Sequence, residues 1–219
     1  KDCFRKGYLR KAIKISLPVG FEHFVVCAAQ ITSTKIVAPL GIVAIAANSF
    51  GITAEALCYM PGYGIADAAT TLVGQGIGAK KENVAKYFAK ISTMIGMVLM
   101  SAMAVIMFFA APYIMAMLSA DAKVVALGTK ILRIEMFAEP MYAASIVASG
   151  ALRGAGDTFV PSLMNFGSIW LVRMPLSYLL SLSVGLRGMW FAMCIELIFR
   201  GSIFLYRLFK VRWWEKAKN

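Results

Sequence analysis

The chain has 219 residues, of which 60% are hydrophobic and only 16% are charged, and its mean hydropathy is +0.72. Soluble domains are about 45–50% apolar and about 25% charged, so this composition excludes an ordinary water-soluble globule, and the apolar excess also excludes a disordered chain. The net charge is +12. Because the Lys and Arg residues are concentrated at one side of the predicted membrane spans, we attribute this charge to membrane topology and anionic lipid headgroups, and we expect no nucleic-acid partner.

Long apolar stretches separated by Gly, Pro and charged residues predict six membrane-spanning helices. The clearest stretch covers residues 91–118, which carry no charge, and it exceeds the roughly 20 residues that a spanning helix needs. In chain order the predicted spans cover residues 12–37, 43–76, 84–117, 124–152, 161–182 and 189–209. The sequence therefore predicts an all-α membrane protein, a six-transmembrane-helix bundle at residues 12–209. A basic cytoplasmic leader or linker at residues 1–11 and a basic tail at residues 210–219 flank this bundle.

The Lys and Arg residues predict the orientation of the bundle. Six spans place both termini on one side, and most of the 23 Lys and Arg fall there, in the leader, in the connection near Lys80, at Arg153 and in the tail. The opposite side holds Lys35, Lys123 and Arg187. Because Lys and Arg concentrate in cytoplasmic loops, we expect a multi-pass protein of the cell membrane, surrounded by lipids, with both termini of this segment in the cytoplasm.

Three carboxyl groups lie beside residues that disrupt helices inside predicted spans. Glu22 follows a proline by one turn, Glu55 precedes Pro61, and Glu139 directly precedes Pro140. A charge near the bilayer centre costs at least about 2.5–3.5 kcal/mol, and disrupted helices can free backbone carbonyls and admit water. We interpret these three acids as cation or proton sites. For Glu22, a polar residue at a helix end and a ligand-independent salt bridge remain the alternatives, and for Glu55 and Glu139 a structural role is the alternative.

The remaining polar residues of the spans favour structural roles. Glu196 and Arg200 are spaced i, i+4 and are expected to neutralise each other, and Arg133 and Arg173 are expected to be ion-pair or snorkelling residues. The four Cys form no CxxC pair, so no metal site is predicted. No HExxH, GxSxG or GxxxxGK[ST] motif occurs, so we expect neither enzymatic activity nor a cofactor.

Several sequence stretches resemble one transporter family. Residues 60–79, MPGYGIADAATTLVGQGIGA, resemble a helix and the Gly-Ala turn that follows it in multidrug and toxic compound extrusion (MATE) transporters. Residues 150–158, GALRGAGDT, and residues 170–178, WLVRMPLSY, resemble the second signature of that family. The match extends over nearly the whole chain but resembles only the carboxyl-terminal lobe of such a transporter. The motif residues that carry the resemblance are Pro61, Gly62, Gly154, Asp157 and Arg173.

The resemblance implies a function for this lobe together with a missing N-terminal six-helix lobe. It implies secondary active antiport, coupled to Na⁺ or H⁺, that exports small amphipathic or cationic drugs and toxins by alternating access. Glu22, Glu55 and Glu139 are then the candidate coupling sites, and Gln30, Asn48 and Tyr142 could supply neutral ligands in the substrate cavity. A lipid-linked oligosaccharide flippase of the same superfamily is the alternative, which a large basic cavity would favour. A membrane scaffold without transport activity is the third hypothesis.

Overall fold

A computed structural model describes the backbone of residues 6–211 and of residue 213, and this part of the chain is helical almost throughout. Residues 1–5 of the predicted leader and most of the predicted tail lie outside the described residues. The elements, in chain order, are α1 (Lys6–Val37), a 3-10 turn (Ala38–Leu40), α2 (Ile42–Gly78), α3 (Glu82–Leu118), α4 (Ala122–Glu135), α5 (Glu139–Gly154), α6 (Phe159–Gly167), a π-helical segment (Ser168–Arg173), α7 (Met174–Val184) and α8 (Leu186–Lys210).

The predicted six-span architecture is confirmed, with one span divided into two helices. Five described stretches are long and apolar enough to cross a membrane: Val19–Leu40, Ile42–Gly78, Glu82–Leu118, Phe159–Val184 and Leu186–Lys210. The predicted span at residues 124–152 consists of α4 and α5, which are separated by residues 136–138. Pro140 lies in the first turn of α5, where its missing N–H and fixed φ are tolerated. The same ring would clash with a preceding helical turn, so the helix stops before it.

Two other predicted helix breaks are wrong. We expected Pro61 to interrupt its span, but α2 continues through it without a break. The helix α1 likewise continues through residue 18 and past Glu22. In a membrane, neighbouring helices and local adjustments can satisfy the carbonyl that a proline leaves free. The helix is closely packed next to Pro61, because a Cβ at Gly62 would collide with the sulfur of Met100 in α3.

The fifth predicted span contains a segment with a wider helical turn. It begins as α6, passes through the π segment Ser168–Arg173 and ends as α7 without leaving the helical path. A π turn contains an extra residue compared with an α turn and is frequent at functional sites. In this chain Arg173 is the last residue of the segment, and both Ile169 and Arg173 line the cavity described below.

The helix α5 lies at the centre of the bundle. All ten residues from 143 to 152 are buried, and they pack against α2, α3 and α8. Small side chains allow this, since a Cβ added at Gly150 would lie 2.6 Å from the carbonyl oxygen of Ala66 in α2. The Thr70 hydroxyl donates a hydrogen bond of 2.8 Å to the Gly150 carbonyl at the same crossing. Backbones in direct contact are typical of helix pairs in membranes, where small residues form the interface.

The helix α1 lies at the edge of the bundle. Its buried described residues are Val25, Ala29, Ser33 and Val37, one every fourth position. This stripe packs mainly on α6 and α7, with Ala29 beside Ile169 of the π segment. The inner side of α1 and the polar side of α2 are left facing a common cavity.

Candidate functional site

One cavity of about 390 Å³ opens between α1, α2, α5, the α6 to π segment and α8. The helix α2 contributes a face of residues that are mostly three or four positions apart, and the face extends for about 33 Å at 1.5 Å per residue. This length matches the thickness of the bilayer core, about 30 Å. The face consists of Asn48, Ile52, Glu55, Tyr59, Tyr63, Ala66, Asp67 and Thr70.

Glu22 lines the cavity near one of its ends and is already bound by neighbouring side chains. The Nη2 atom of Arg153 lies 2.7 and 2.8 Å from the two carboxylate oxygens of Glu22. Ser162 Oγ donates to one of these oxygens at 2.8 Å and Asn165 Nδ2 donates to the other at 2.7 Å. The carboxylate therefore ties α1 to α5 and α6 in this conformation, which is the salt-bridge alternative for Glu22.

Glu55 lies further along the cavity and belongs to a cluster of three acids. Its carboxyl group lies close enough to that of Glu135, at the end of α4, for the two to interact electrostatically. Glu139, at the start of α5, adjoins the thiol of Cys58 and is near enough to interact electrostatically with Glu55. All three Glu side chains are buried, and Glu135 and Glu139 are 0% exposed. We call Glu55, Glu135 and Glu139 the carboxyl cluster.

The carboxyl cluster lacks the donors that stabilise buried carboxylates. Within the described residues, no backbone N–H and no hydroxyl, amide or cationic side chain donates a hydrogen bond to Glu135 or Glu139. Burying unpaired charged carboxylates side by side is costly unless they hold protons or a cation. Neighbouring carboxylates also repel each other, so a proton on one of them relieves the repulsion. The geometry is therefore suited to taking up positive charge that enters past Glu55 from the cavity.

The cavity also contains arginines, two of which are paired with acids. Arg153 is paired with Glu22, and the Nε atom of Arg200 lies 3.2 Å from Glu196 Oε1. The predicted i, i+4 pair is thereby confirmed, and Glu196 additionally accepts a hydrogen bond from Ser168. Arg133, by contrast, does not line the cavity, and its Nε donates to the Phe108 carbonyl oxygen at 3.1 Å.

The three predicted neutral ligands all line the cavity. Asn48 is buried, and its Oδ1 accepts a hydrogen bond of 3.0 Å from Trp190 Nε1, which fixes the amide. Gln30 is exposed on α1. Tyr142 packs edge-on against Tyr59 with 5.9 Å between ring centroids, and the Arg200 guanidinium lies 5.4 Å from the centre of the Tyr142 ring. The cavity wall is therefore aromatic as well as charged.

The glycine and acid of the second signature have packing roles. A Cβ at Gly154 would collide with the backbone of Thr70, so this glycine permits α5 to touch α2. Asp157 follows α5 and forms an ion pair with Arg207 of α8, which is 12% exposed. This pair joins the turn after α5 to the last helix.

Sequence reasoning missed several residues that the fold brings to the site. Arg153 was assigned to a cytoplasmic loop, although it lines the cavity and binds Glu22 from 131 positions away. Glu135 is an acid within the fourth predicted span, and no proline directly follows it. The signal that could have found it is its position four residues before Glu139, which places both acids on one face if the helix continues. Nothing in the sequence indicates that Ser162 and Asn165 bind Glu22.

No three His, Cys, Asp or Glu side chains in the described part of the chain converge on a single metal position. The carboxyl cluster instead consists of one carboxyl pair and a third acid beside a thiol.

Comparison with known proteins gives consistent results. The MatE family model matches residues 18–179. A probable multidrug resistance protein NorM from Chromobacterium violaceum is 32% identical over 203 residues, which cover 90% of this chain and 43% of that protein. A second NorM, from Thermotoga maritima, is 27% identical and is matched over 95% of this chain and 45% of its own length. The chain thus spans a little under half the length of the relatives it matches.

Solved structures share the fold. The MATE transporter VcmN of Vibrio cholerae, in its bent form, superposes with a TM-score of 0.88 at 15% identity, over 99% of this chain and 48% of that one. A MOP superfamily transporter from Pyrococcus furiosus gives a TM-score of 0.86 at 19% identity, over 92% of this chain and 45% of that one. At these identities the likeness concerns the helix arrangement alone.

Proposed function

This chain belongs to the MatE family, and on that premise we propose that it forms one lobe of a secondary transporter that exports amphipathic or cationic drugs. The observation that carries the proposal is the cavity between α1, α2, α5 and α8, whose polar α2 face extends for about the depth of a bilayer core. Its relatives are named as multidrug resistance proteins and are about twice as long. We therefore propose a second six-helix lobe as the partner that completes the cavity.

We propose that protons drive this export through the carboxyl cluster. Glu55 faces the cavity, while Glu135 and Glu139 lie behind it with no donor among the described residues to neutralise them. A substrate cation near Glu55 and a proton on the cluster would compete for the same negative charge. Such competition is what antiport requires, because the two cargoes must not be bound together.

Glu22 has a different role in this scheme. Its carboxylate already receives hydrogen bonds from Arg153, Ser162 and Asn165, so a proton or Na⁺ can occupy it only after Arg153 withdraws. We propose that Glu22 is a coupling site that opens when α1 moves, whereas the carboxyl cluster can accept a proton without that movement.

For the orientation in the membrane, we propose the one that the distribution of Lys and Arg predicts. Lys35, Lys123 and Arg187 lie near helix ends at one side of the bundle, and the α2–α3 turn with Lys80 and Lys81 lies at the other. The positive-inside rule assigns the second side to the cytoplasm, so we propose that both ends of this segment are cytoplasmic.

The test is drug export by the full gene product that carries this chain, measured in membrane vesicles with an imposed proton gradient or an imposed Na⁺ gradient. We expect Glu55→Gln and Glu139→Gln to reduce proton-driven export more than about tenfold, which corresponds to about 1.4 kcal/mol. Asp121→Asn is the matched control, because Asp121 is an exposed acid that caps α4, and Asn caps equally well. Undiminished export in both Glu variants would refute the proton sites, and export driven only by Na⁺ would refute proton coupling.

The flippase remains the second candidate, because three arginines line the cavity. Two of them are neutralised by Glu22 and Glu196, which weakens the case for a cavity built to hold polyanionic lipids. Vesicles that export no drug, combined with loss of envelope polymer in cells that lack the protein, would favour the flippase over the drug exporter.

A further inference from the structure

Arg133 of α4 binds a backbone carbonyl that a proline leaves without its helical partner. In a regular α-helix the Phe108 carbonyl would accept a hydrogen bond from the N–H of the fourth residue after it. That residue is Pro112, inside α3, and proline has no N–H. Instead, Arg133 Nε donates to the Phe108 carbonyl oxygen at 3.1 Å, and Arg133 Cζ lies 5.1 Å from the centre of the Phe108 ring. Arg133 thus joins α4 to α3 with one of its five N–H donors.

The other donors of Arg133 have no partner in the described part of the chain. Of the two roles expected from the sequence, an ion pair and snorkelling, the ion pair is not found there. Both Nη groups lack a hydrogen-bond partner and are accessible at the surface. No residue of α3 or α4 lines the cavity, so these donors lie on another face of the bundle. A cation with free donors inside a membrane span needs an anion or water beside it.

Two exposed tyrosines indicate where the membrane interfaces lie along α3. Tyr87 and Tyr113 are 61% and 75% exposed and are 26 residues apart, which corresponds to about 39 Å of helix. This length is close to the thickness of a bilayer with its headgroup regions, about 40–45 Å, and Tyr is enriched at both interfaces. Phe108 is five residues before Tyr113, about 7.5 Å further into the membrane. The free donors of Arg133 therefore lie just beneath the lipid headgroups.

The exposed face of α4 carries further positive charge. Lys123, Lys130 and Arg133 fall within an arc of about 80° around the helix axis, and both lysines are exposed. Phe137 lies one turn beyond Arg133 on this face, is 73% exposed and packs edge-on against Phe108 with 5.9 Å between ring centroids. The Cα–Cβ bonds of a helix tilt toward its amino end, which for α4 is the end that carries Lys123. The face thus places cations at the level of the headgroups and an aromatic surface at the level of the acyl chains.

From these observations we propose that the α3–α4 surface around Arg133 binds an anionic phospholipid. The two Nη groups of Arg133 donate to two oxygens of the lipid phosphate, a geometry that suits a planar guanidinium. The acyl chains lie along Phe109, which is 69% exposed, and Phe137. Lys130 adds attraction for a headgroup of net negative charge, whereas a zwitterionic headgroup brings its own cation. In the orientation proposed above, this lipid belongs to the outer leaflet, and its binding does not depend on what the cavity transports.

The test is lipid binding to the full gene product, purified in detergent, stripped of lipid and titrated with phosphatidylglycerol or with phosphatidylcholine while native mass spectrometry counts the bound lipids. We expect phosphatidylglycerol to bind more tightly, and Arg133→Gln to weaken its binding about tenfold, which corresponds to about 1.4 kcal/mol for a lost charge-assisted contact. Lys130→Gln should weaken it about threefold, because the ammonium acts through charge alone. Arg187→Gln is the matched control, since Arg187 is an exposed arginine in the first turn of α8, and it should change neither affinity more than about twofold.

A second set of variants separates lipid binding from the joining of α4 to α3. Pro112→Ala supplies the N–H that the Phe108 carbonyl lacks, so the carbonyl no longer needs Arg133. In that background we expect Arg133→Gln to leave thermal unfolding in lipid-free detergent unchanged and still to weaken phosphatidylglycerol binding about tenfold. Arg133→Lys keeps the charge but not the planar fork, so it should retain part of the affinity.

Three results would overturn the proposal. The first is a phosphatidylglycerol affinity that Arg133→Gln leaves unchanged with Pro112 present and with Pro112→Ala. The second is equal binding of phosphatidylglycerol and phosphatidylcholine by the unmodified protein. The third is a loss in Arg187→Gln as large as that in Arg133→Gln, which would show attraction to the overall positive charge of the protein rather than a site on α3 and α4.

Discussion

The helices α5 and α1 are attached to the bundle in different ways. The helix α5 buries ten consecutive residues and lies in backbone contact with α2, whereas α1 buries only every fourth described residue. The polar ties of α1 to other elements are concentrated at Glu22. Tight packing resists displacement because many contacts must break together, but a narrow stripe with one ionic tie can shift at lower cost. We infer that α5 is the fixed part of the lobe and α1 the part that moves.

The largest effect is expected where α5 touches α2. In Gly150→Leu the new Cβ would lie 2.6 Å from the Ala66 carbonyl oxygen and 3.0 Å from the Ala66 Cβ. Backbone atoms cannot yield as flexible side chains do, so we expect a loss of at least about 3 kcal/mol of folding free energy and little recoverable protein. Gly64→Leu is the control, because a Cβ at this α2 glycine meets nothing within 4 Å. Equal yields and equal thermal unfolding of both variants in detergent would contradict the fixed role of α5.

An intermediate effect is expected at the ionic tie of α1. Glu22→Gln removes one charge of a pair whose side chains are 13% and 30% exposed, so the cost should be about 1–3 kcal/mol. Hydrogen exchange should then rise in α1 and stay unchanged in α5. Adding Arg153→Gln removes the unpaired cation, and the double variant should recover part of the loss. Unchanged exchange in α1 would show that Glu22 does not hold this helix.

The smallest effect is expected when the two methyl groups of one buried valine are removed in each helix. Val147 of α5 is 0% exposed and its Cγ2 fills the space above Gly96, while Val25 of α1 is 4% exposed. We expect Val147→Ala to cost about 1–2 kcal/mol and Val25→Ala about half as much, because the looser site can close around the deletion. Thermal unfolding of the two variants side by side measures the difference. A larger loss for Val25→Ala would reverse the assignment of fixed and moving helices.

The spans could be predicted because their signal is local. Apolar length and the placement of Gly, Pro and charge located the ends of the six spans to within a few residues, apart from the amino end of α1. Proline was less reliable, since Pro140 lies where a span divides and Pro61 lies within an unbroken helix. The difference depends on how the neighbouring helices pack around each proline, and the sequence of a single span does not reveal that packing.

The composition of the site could be predicted only in part. Acids within membrane spans are rare, so Glu22 and Glu55 could be recognised from the sequence. Both of them line the cavity, as does the predicted ligand Tyr142. The partners of these residues depend on how each helix is rotated and where it crosses its neighbours. The proximity of Glu55 to Glu135 and the contact of Glu22 with Arg153 are of this kind. Whether these acids couple export to an ion stays a prediction.

The π-helical segment Ser168–Arg173 sets the rotation of α6 about its axis relative to α7. Each α-helical residue advances the side chains by about 100°, so removing a single residue from this turn would restore the regular repeat and rotate every preceding residue relative to Arg173 by that angle. If Arg173 kept its direction after such a deletion, Ile169 would rotate away from Ala29 and their contact would be lost. We therefore expect insertions and deletions in this short segment to be far more harmful than substitutions, because they rotate the Arg173 guanidinium relative to the cavity that it lines.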